Sequence, residues 1–200
     1  MPDFVKMGFV VMLVGAIATS ILAGTEAITR EPIAEAKRLE ILKALQQVLP
    51  PGFDNEPDRD TLMLADAKLN RNQTPVKFYR AKKGGSDIAA AYVVTAPDGY
   101  SGNIEIMMGV LKSGAVSGIQ VVAHAETPGL GDKIDAIVSD WPHFFKGKTL
   151  DNVKWGVKKD RGDFDQFAGA TITPRAVVGA VKRGLEFFVA NQEKIFAPAP

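Results

Sequence analysis

Apolar and small residues dominate the beginning of the chain. The segment Phe4–Gly24 is interrupted by a single charge at Lys6, and from Met7 onwards it carries no charge. That length is close to the roughly 20 residues needed to cross the hydrocarbon core of a bilayer. The pattern predicts a membrane anchor over residues 1–28. A cleaved signal peptide is the alternative, although no clear Ala-x-Ala pattern ends the segment.

The spacing of apolar positions then becomes that of an amphipathic helix. Leucine and isoleucine recur at helical intervals over Glu31–Leu49, with Pro32 at the expected start of the helix. Pro50-Pro51-Gly52 is expected to end it, because proline cannot continue a helix. Residues 29–52 therefore read as a connector between the anchor and a folded domain over residues 53–200.

Alternating apolar, aromatic and β-branched residues follow, which is the pattern of β-strands. The candidate strands are Val76–Lys82, Ile88–Thr95, Asn103–Leu111, Val116–His124 and, less regular, Val153–Val157. The turns between the first four are expected at Gly84-Gly85, Pro97-Asp98-Gly99 and Ser113-Gly114. A short helix over Asp132–Ser139 and a closing helix opened by Pro174 complete the pattern. The predicted fold class is α+β, with helices packed on a twisted antiparallel sheet.

Composition narrows the function. The 200 residues are 46% hydrophobic and 24% charged with a formal net charge of +1, so nothing in the charge balance indicates a nucleic-acid partner. The absence of cysteine excludes disulfides and cysteine-bound iron–sulfur clusters within this chain. The two histidines, His124 and His143, lack the spacing of metal ligands, so no metal site is expected. No sequence pattern indicates a nucleophile paired with a base, so no catalytic residue is assigned.

The segment Asp165–Pro174 carries the candidate chemistry. Gly169-Ala170 lets the backbone approach a bulky ligand, and hydroxyls follow at Thr171 and Thr173. Because threonine is a good N-cap and proline favours the first helical position, Thr173 is expected at a helix N-terminus, where a phosphate is stabilised. Taken alone, the same residues fit an ordinary helix cap.

A second candidate loop, His124–Lys133, follows the last predicted strand of the meander. Two glycines flank Leu130, which gives this loop the freedom to lay backbone N–H groups against a flat ring. Glu126 and Thr127 carry groups that can hydrogen-bond the polar edge of a ligand. The alternative is a simple turn into the helix expected at Asp132.

These motifs occur in an order that resembles the G subunit of the Rnf electron-transport complex. The order is Gly-Tyr-Ser-Gly at 99–102, Glu-Thr-Pro-Gly-Leu-Gly at 126–131, Lys158-Lys159-Asp160, and the segment ending at Thr173, which departs from the usual flavin-attachment pattern at Ala168. The related C subunit of the sodium-pumping NADH:quinone reductase shares the FMN-binding domain. The resemblance implies FMN held covalently, as a phosphoester, on Thr173. It also implies contacts to the flavin from Thr171, Ala170, Gly169, Glu126, Thr127, Gly129, Leu130 and Gly131.

The resemblance also implies a function and partners. The chain is expected to be a redox subunit of an ion-translocating ferredoxin:NAD⁺ oxidoreductase, in which it relays electrons and makes no product by itself. Expected partners are the other membrane subunits, the lipid bilayer and a flavin transferase during maturation. Two rivals are an anchored FMN-dependent reductase and a non-catalytic flavin-sensing module. The slight charge bias around the anchor favours a single-pass protein of the bacterial inner membrane, with a cytoplasmic N-terminus and a periplasmic FMN domain.

Overall fold

The N-terminal part of the protein is a single long helix. The computed structural model describes residues 2–197, and the chain divides into two compact units between Ile41 and Leu42. Helix α1 spans Asp3–Val48. It contains a window of 18 residues with a mean hydropathy of 2.1, none of it buried, so it has the length and composition to cross a membrane. The apolar span expected from the sequence is therefore helical.

The helix predicted over Glu31–Leu49 is present as far as Val48, but its predicted start at Pro32 is wrong, because α1 passes through this proline without ending. An internal proline removes one hydrogen bond and bends a helix. No glycine or second proline stands nearby to complete a break. The predicted end of this helix at Leu49 agrees with the observed end of α1 at Val48, just before Pro50-Pro51.

A five-stranded antiparallel sheet forms the centre of the second unit. Its strands lie side by side in chain order, which confirms the predicted meander. They are β1 (Thr61–Leu64), β2 (Val76–Lys83), β3 (Ser86–Gly99), β4 (Gly102–Leu111) and β5 (Val116–Ala123). Sequence analysis missed β1, because four residues are too few to display an alternating pattern. The strand proposed over Val153–Val157 is wrong: Val157 forms only an isolated bridge with Phe164.

The β2–β3 turn lies where the sequence predicts it, whereas the β3–β4 turn is shifted along the chain. Gly84 and Gly85 both have positive φ, as a two-residue type I′ turn requires. The turn expected at Pro97-Asp98-Gly99 is displaced to the next two residues, Tyr100 and Ser101. A register shift between Ala96 and Gly99 places Pro97 in a bulge, where a missing backbone N–H breaks no regular pairing. This displacement leaves Tyr100 at an exposed hairpin tip.

The closing helix α2, Ile172–Ile195, packs on one face of the sheet. Gly184 marks its closest approach: an added Cβ would lie 2.6 Å from Val94, and the hydroxyl of Tyr92 donates to the Gly184 carbonyl at 2.8 Å. The end of α1 packs against the sheet at Gly109, where a Cβ would collide with the Val48 carbonyl. Neighbouring residues of a strand point to opposite faces, so both faces of β4 are covered.

The short helix predicted over Asp132–Ser139 is also wrong. A single 3₁₀ turn spans Asp132–Ile134, and the chain then turns again as the side chain of Asp135 accepts from the N–H of Ile137 at 3.0 Å. Aspartate competes with helical hydrogen bonding in this way. Two further 3₁₀ turns span Trp141–Phe145 and Lys158–Asp160.

Candidate cofactor attachment site

The candidate site lies at one edge of the sheet, where three chain segments meet. The β3–β4 hairpin turns at this edge, since Gly99 pairs with Gly102. Strand β5 ends beside it, because Ala123 pairs with Glu105 near the start of β4. The loop after β5 therefore begins next to the hairpin tip. The third segment is the N-terminus of α2.

A buried hydrogen bond between two side chains joins the loop to α2. The hydroxyl of Thr173 donates to Oε2 of Glu126 at 2.5 Å. The other carboxylate oxygen, Oε1, accepts from the backbone N–H of Ser101 at 3.0 Å. Thr173 is 0% exposed and Glu126 is 4% exposed. The hairpin tip and the helix terminus are thus held together through one carboxylate.

Two glycines make room for this carboxylate. A Cβ added to Gly131 would lie 2.7 Å from Oε2 of Glu126 and 2.9 Å from Oγ1 of Thr173. A Cβ added to Gly99 would lie 2.9 Å from Oε1 of Glu126. All three distances are shorter than carbon and oxygen tolerate without a shift. Glycine therefore fits best on either side of Glu126, and at Gly99 an added Cβ would also collide with the carbonyl oxygen of Gly102.

A tight turn leads the chain into α2. The N–H of Ala170 bonds to the carbonyl of Phe167 at 3.1 Å, and Gly169 has a φ of +78°, as the third position of a type II turn requires. The N-cap of α2 is Thr171, so the sequence expectation that Thr173 caps the helix is wrong. Pro174 is accommodated because an N–H in the first turn has no helical acceptor to lose.

Thr173 lies within the first turn of α2, two residues after the N-cap Thr171. The backbone N–H groups of Ile172 and Thr173 point out of this terminus without helical acceptors, because the first intrahelical bond runs from Arg175 to Thr171. The positive end of the helix dipole adds to their effect. The helix terminus favours negative charge near Thr173, which is the property that the sequence analysis sought from a cap, and the carboxylate of Glu126 is one such charge already in contact with the hydroxyl.

A cavity of about 330 Å³ is lined in part by Thr173. It brings together eight of the nine residues singled out from the sequence, all but Gly129, which lies one residue outside in an exposed turn with φ +78°. Ala168, where the motif departs from its usual pattern, is exposed and does not line the cavity either. The cavity-lining residues are Tyr100, Glu126, Thr127, Leu130, Gly131, Gly169, Ala170, Thr171, Ile172 and Thr173.

Two lining residues were not assigned to the site by sequence analysis. Tyr100, 69% exposed, stands at the hairpin tip, and Ile172, 45% exposed, begins α2. With Leu130 they form an exposed apolar rim around the cavity. The glycines flanking Tyr100 and Ser101 were the available signal for the first. Ile172 lies between the two threonines, and its exposure depends on how α2 meets the sheet.

Aromatic residues pack against the candidate attachment segment, Asp165–Pro174, on its core side. The indole N–H of Trp141 donates to the carbonyl of Asp165 at 2.8 Å, and its ring meets that of Phe167 edge-on at 5.4 Å. Phe145 is fully buried against Phe164, with ring centroids 4.6 Å apart. The sequence alone allows the aromatic cluster at residues 141–145 to be core, a cover over the cleft or a docking face for a membrane partner. Trp141 and Phe145 pack in the core, Phe144 is 44% exposed, and none of the three rings lines the cavity.

Ion pairs fix the same segment at the surface. Arg175 of α2 bonds both carboxylate oxygens of Asp160, at 2.6 and 2.9 Å. The hydrogen bond from Arg175 lowers the pKa of Asp160, more than its desolvation raises it. Lys158 pairs with Asp165 at 2.6 Å. These pairs are exposed, so they orient the segment and contribute little to stability.

Comparison with known proteins identifies the family. A family model for the FMN-binding domain matches residues 99–186. The G subunit of the ion-translocating oxidoreductase complex of Shewanella baltica is 42% identical, over 96% of this chain and 93% of its own length. Its counterpart in Photorhabdus laumondii is 44% identical, covering 89% and 87%, and that of Pseudomonas aeruginosa is 44% identical, covering 93% and 89%.

One solved structure is also similar in part. The crystal structure of Shewanella oneidensis NqrC matches with a TM-score of 0.49 and 23% identity, covering 78% of this chain and 74% of that one. The identities of the G subunits, at nearly full length, confirm the resemblance seen in the motifs. This chain belongs to the family of G subunits of ion-translocating oxidoreductase complexes and contains its FMN-binding domain.

Proposed function

We propose that this protein is a membrane-anchored electron-transfer subunit that carries FMN esterified to Thr173. One observation carries the proposal. Thr173 lies in the first turn of α2 and is one of the residues that line a cavity within the matched FMN-binding domain. A hydroxyl at this position is a chemically suitable acceptor for a phosphate ester, and the helix terminus stabilises the negative charge that the ester brings.

The residues present fit the phosphate end of FMN. The N–H groups of Ile172 and Thr173, which lack helical acceptors, supply donors, and glycine at position 131 leaves room for the Thr173 hydroxyl and the Glu126 carboxylate. Phosphate groups are commonly held at helix N-termini by this combination of donors and dipole. A Cβ added at Gly131 would collide with the Thr173 hydroxyl and the Glu126 carboxylate, so the geometry around the hydroxyl depends on this glycine.

The rim fits the flat, apolar end of the cofactor. Tyr100, Leu130 and Ile172 are exposed side chains without a covering element among the described residues. Exposed apolar groups gathered at the mouth of a cavity are typical of ligand sites. Leu130 and Tyr100 would pack on the flavin ring, and the hydroxyl of Thr127 would hydrogen-bond its polar edge. Gly129 would contribute by letting the loop fold over the ring.

FMN, when bound, would supply one- and two-electron chemistry. The protein residues would hold it in place. An ester to Thr173 prevents dissociation, which matters outside the cytoplasm where free flavin is scarce. It also fixes the distance between this cofactor and the redox centres of neighbouring subunits. Such a role agrees with the name of the relatives, which are subunits of an ion-translocating oxidoreductase complex.

The setting of the proposed function is a bacterial inner membrane. Residues 1–28 would anchor the chain in a single pass, residues 29–52 would connect, and residues 53–200 would carry FMN on the periplasmic side. The apolar helix supports the anchor, and the charge bias around it supports the orientation. Electrons would pass between other subunits of an Rnf-type complex, which couples ferredoxin and NAD⁺ to ion movement. A flavin transferase would attach the cofactor.

Covalent attachment is tested by expressing the full chain with a flavin transferase and examining it under denaturing conditions. We expect a fluorescent band and a tryptic peptide, residues 162–175, that is heavier by one FMN less one water. This peptide holds both Thr171 and Thr173, so fragment-ion sequencing must locate the ester. Thr173→Ala should abolish the label and Thr173→Ser should retain a measurable fraction. Thr74→Ala, in an exposed loop, is the matched control.

The electron-transfer role needs a separate test in membranes that contain the assembled complex. We expect the flavin of this protein to be reduced and reoxidised when the complex receives and passes on electrons. A flavin that stays oxidised throughout turnover would favour a sensing module. Turnover of a soluble substrate by the purified chain alone would favour an anchored reductase. A label found on Thr171 would contradict the assignment of Thr173.

A further inference from the structure

Apart from tyrosines, three polar or charged side chains are buried among residues 2–197, and two of them form the pair at the site. They are Arg80, Glu126 and Thr173. Arg80 is explained by its ion pair with Asp60. Glu126 forms no ion pair with any lysine or arginine of the described residues. Its carboxylate is held instead by two neutral donors, the Thr173 hydroxyl and the Ser101 N–H.

Burial of a carboxylate without a cation costs free energy. A fold that only had to join the hairpin to α2 would be served at lower cost by a glutamine or by apolar side chains. One of the two donors to Glu126 is the hydroxyl that accepts FMN in the proposed function. The buried carboxylate is therefore placed on the atom at which a bond is to form.

We propose that Glu126 is the base that takes the proton of Thr173 when FMN is attached. This inference rests on the proposed function, since it concerns how the ester forms. A threonine hydroxyl is a weak nucleophile until an adjacent base accepts its proton. The separation of 2.5 Å between Oγ1 and Oε2 is within the reach that proton transfer requires. The acceptor protein thereby supplies part of the chemistry of its own modification.

The step balances as a phosphoryl transfer from a flavin dinucleotide presented by the transferase. Oγ1 of Thr173 attacks the phosphorus on the FMN side of the pyrophosphate. A new bond forms between Oγ1 and phosphorus, and the bond from phosphorus to the bridging oxygen breaks. Adenosine monophosphate leaves with the electron pair of that bond. The hydroxyl proton passes to Oε2 of Glu126, and no oxidant or reductant is consumed.

The surroundings hold the carboxylate in the orientation that this step needs. Ser101 donates to Oε1, which leaves Oε2 directed at Thr173. The N–H of Glu126 itself bonds to Nδ1 of His124 at 3.1 Å. Gly99 and Gly131 confine the group on both sides. Ser101 and His124 lie on the hairpin and β5 side, so this orientation does not depend on the exposed loop after Glu126.

The experiment measures the rate of FMN attachment to the full chain in detergent, with saturating flavin dinucleotide and purified transferase. Intact mass gives the labelled fraction over time. Glu126→Gln keeps the size of the side chain and removes the base, so the maximal rate should fall by at least about 100-fold. The KM for the acceptor chain should stay within about threefold of the wild-type value. Glu126→Asp, which retains a carboxylate, should be faster than Glu126→Gln.

Glu105→Gln is the matched control, because Glu105 is an exposed acid on β4 outside the site. It should be labelled at the wild-type rate. The inference is overturned if Glu126→Gln keeps its maximal rate, if only its KM rises, or if the Asp and Gln variants are equally slow. A wild-type chain that gains no FMN at Thr173 overturns the proposed function as well. Thermal unfolding of each variant identifies a loss caused by misfolding, which would count against a chemical role.

Discussion

Substitution of Gly131 by alanine tests the geometry of the attachment site most directly. The φ of Gly131 is −84°, which any residue can adopt, so the backbone itself is not strained by the change. The effect of Gly131→Ala is then steric, because the new methyl group would lie 2.7 Å from Oε2 of Glu126 and 2.9 Å from Oγ1 of Thr173. Either the loop or the hydrogen-bonded pair must move.

The expected magnitude follows from two opposing effects. Glycine to alanine at a compatible φ stabilises a protein by about 0.4–1 kcal/mol, because it restricts the unfolded chain. Loss of a hydrogen bond to a charged group costs about 1.5–3 kcal/mol. The free energy of unfolding should therefore decrease by about 1–2 kcal/mol. For a domain of this size that corresponds to a melting temperature about 2–8 °C lower. Attachment of FMN should slow much more than this loss of stability explains.

Gly147→Ala provides the matched comparison, since it tests backbone strain without touching the site. Gly147 has a φ of +78° and no heavy atom within 4 Å of an added Cβ. An alanine in this left-handed conformation costs about 1–2 kcal/mol, a similar loss of stability. Both variants are assayed by thermal unfolding and by the rate of FMN attachment. Equal attachment rates in the two variants would refute the steric argument, as would full-rate attachment in Gly131→Ala.

Two further predictions concern the sheet. Asp60→Ala should destabilise the domain by about 3–5 kcal/mol, because Arg80, 4% exposed, loses the carboxylate that its Nε contacts at 2.6 Å. Burial by itself raises the pKa of Asp60, but hydrogen bonds from Lys82 and Arg80 together have a larger opposite effect. The pKa of Asp60 in the folded protein is therefore below its ordinary value. This contribution is therefore present above roughly pH 4, the unfolded pKa, and is lost as the pH falls through the lower folded value. Urea unfolding between pH 3 and 7 should show that loss in the wild type and not in Asp60→Ala. Tyr92→Phe should cost about 1 kcal/mol, because the Gly184 carbonyl loses its 2.8 Å donor; an unchanged urea midpoint would contradict this.

Much of the fold was predictable because its signals are local. The apolar run from Met7 to Gly24 is long enough to indicate a span without knowledge of any contact. Glycine pairs and β-branched runs indicated four of the five strands. The wrong predictions concern segments whose local pattern is too short to recognise or fits more than one structure. Strand β1 has only four residues, and Pro97 marked a bulge instead of a turn.

Around the site, the sequence by itself supplied the candidate residues of the proposed cofactor site. The glycine turn with two hydroxyls and a proline made Thr173 a candidate, the Gly-Leu-Gly loop made its neighbours candidates, and the resemblance to the family favoured a cofactor site over a simple cap and turn. The sequence did not determine that Thr171 caps α2. A proline is acceptable at several positions of a first helical turn, so the start of the helix depends on how the turn at Gly169 meets the sheet.

Only the tertiary structure decided that Glu126 faces Thr173. The two residues are separated by 47 positions, and no periodicity relates a loop after a strand to the first turn of a distant helix. Their contact results from the sheet register, which brings the end of β5 beside the β3–β4 hairpin, and from the packing of α2 across β3. No carboxylate beside the Thr173 hydroxyl could therefore be foreseen from the sequence. The pairing of the proposed nucleophile with its proposed base depends on long-range packing, so only the assembled core shows it.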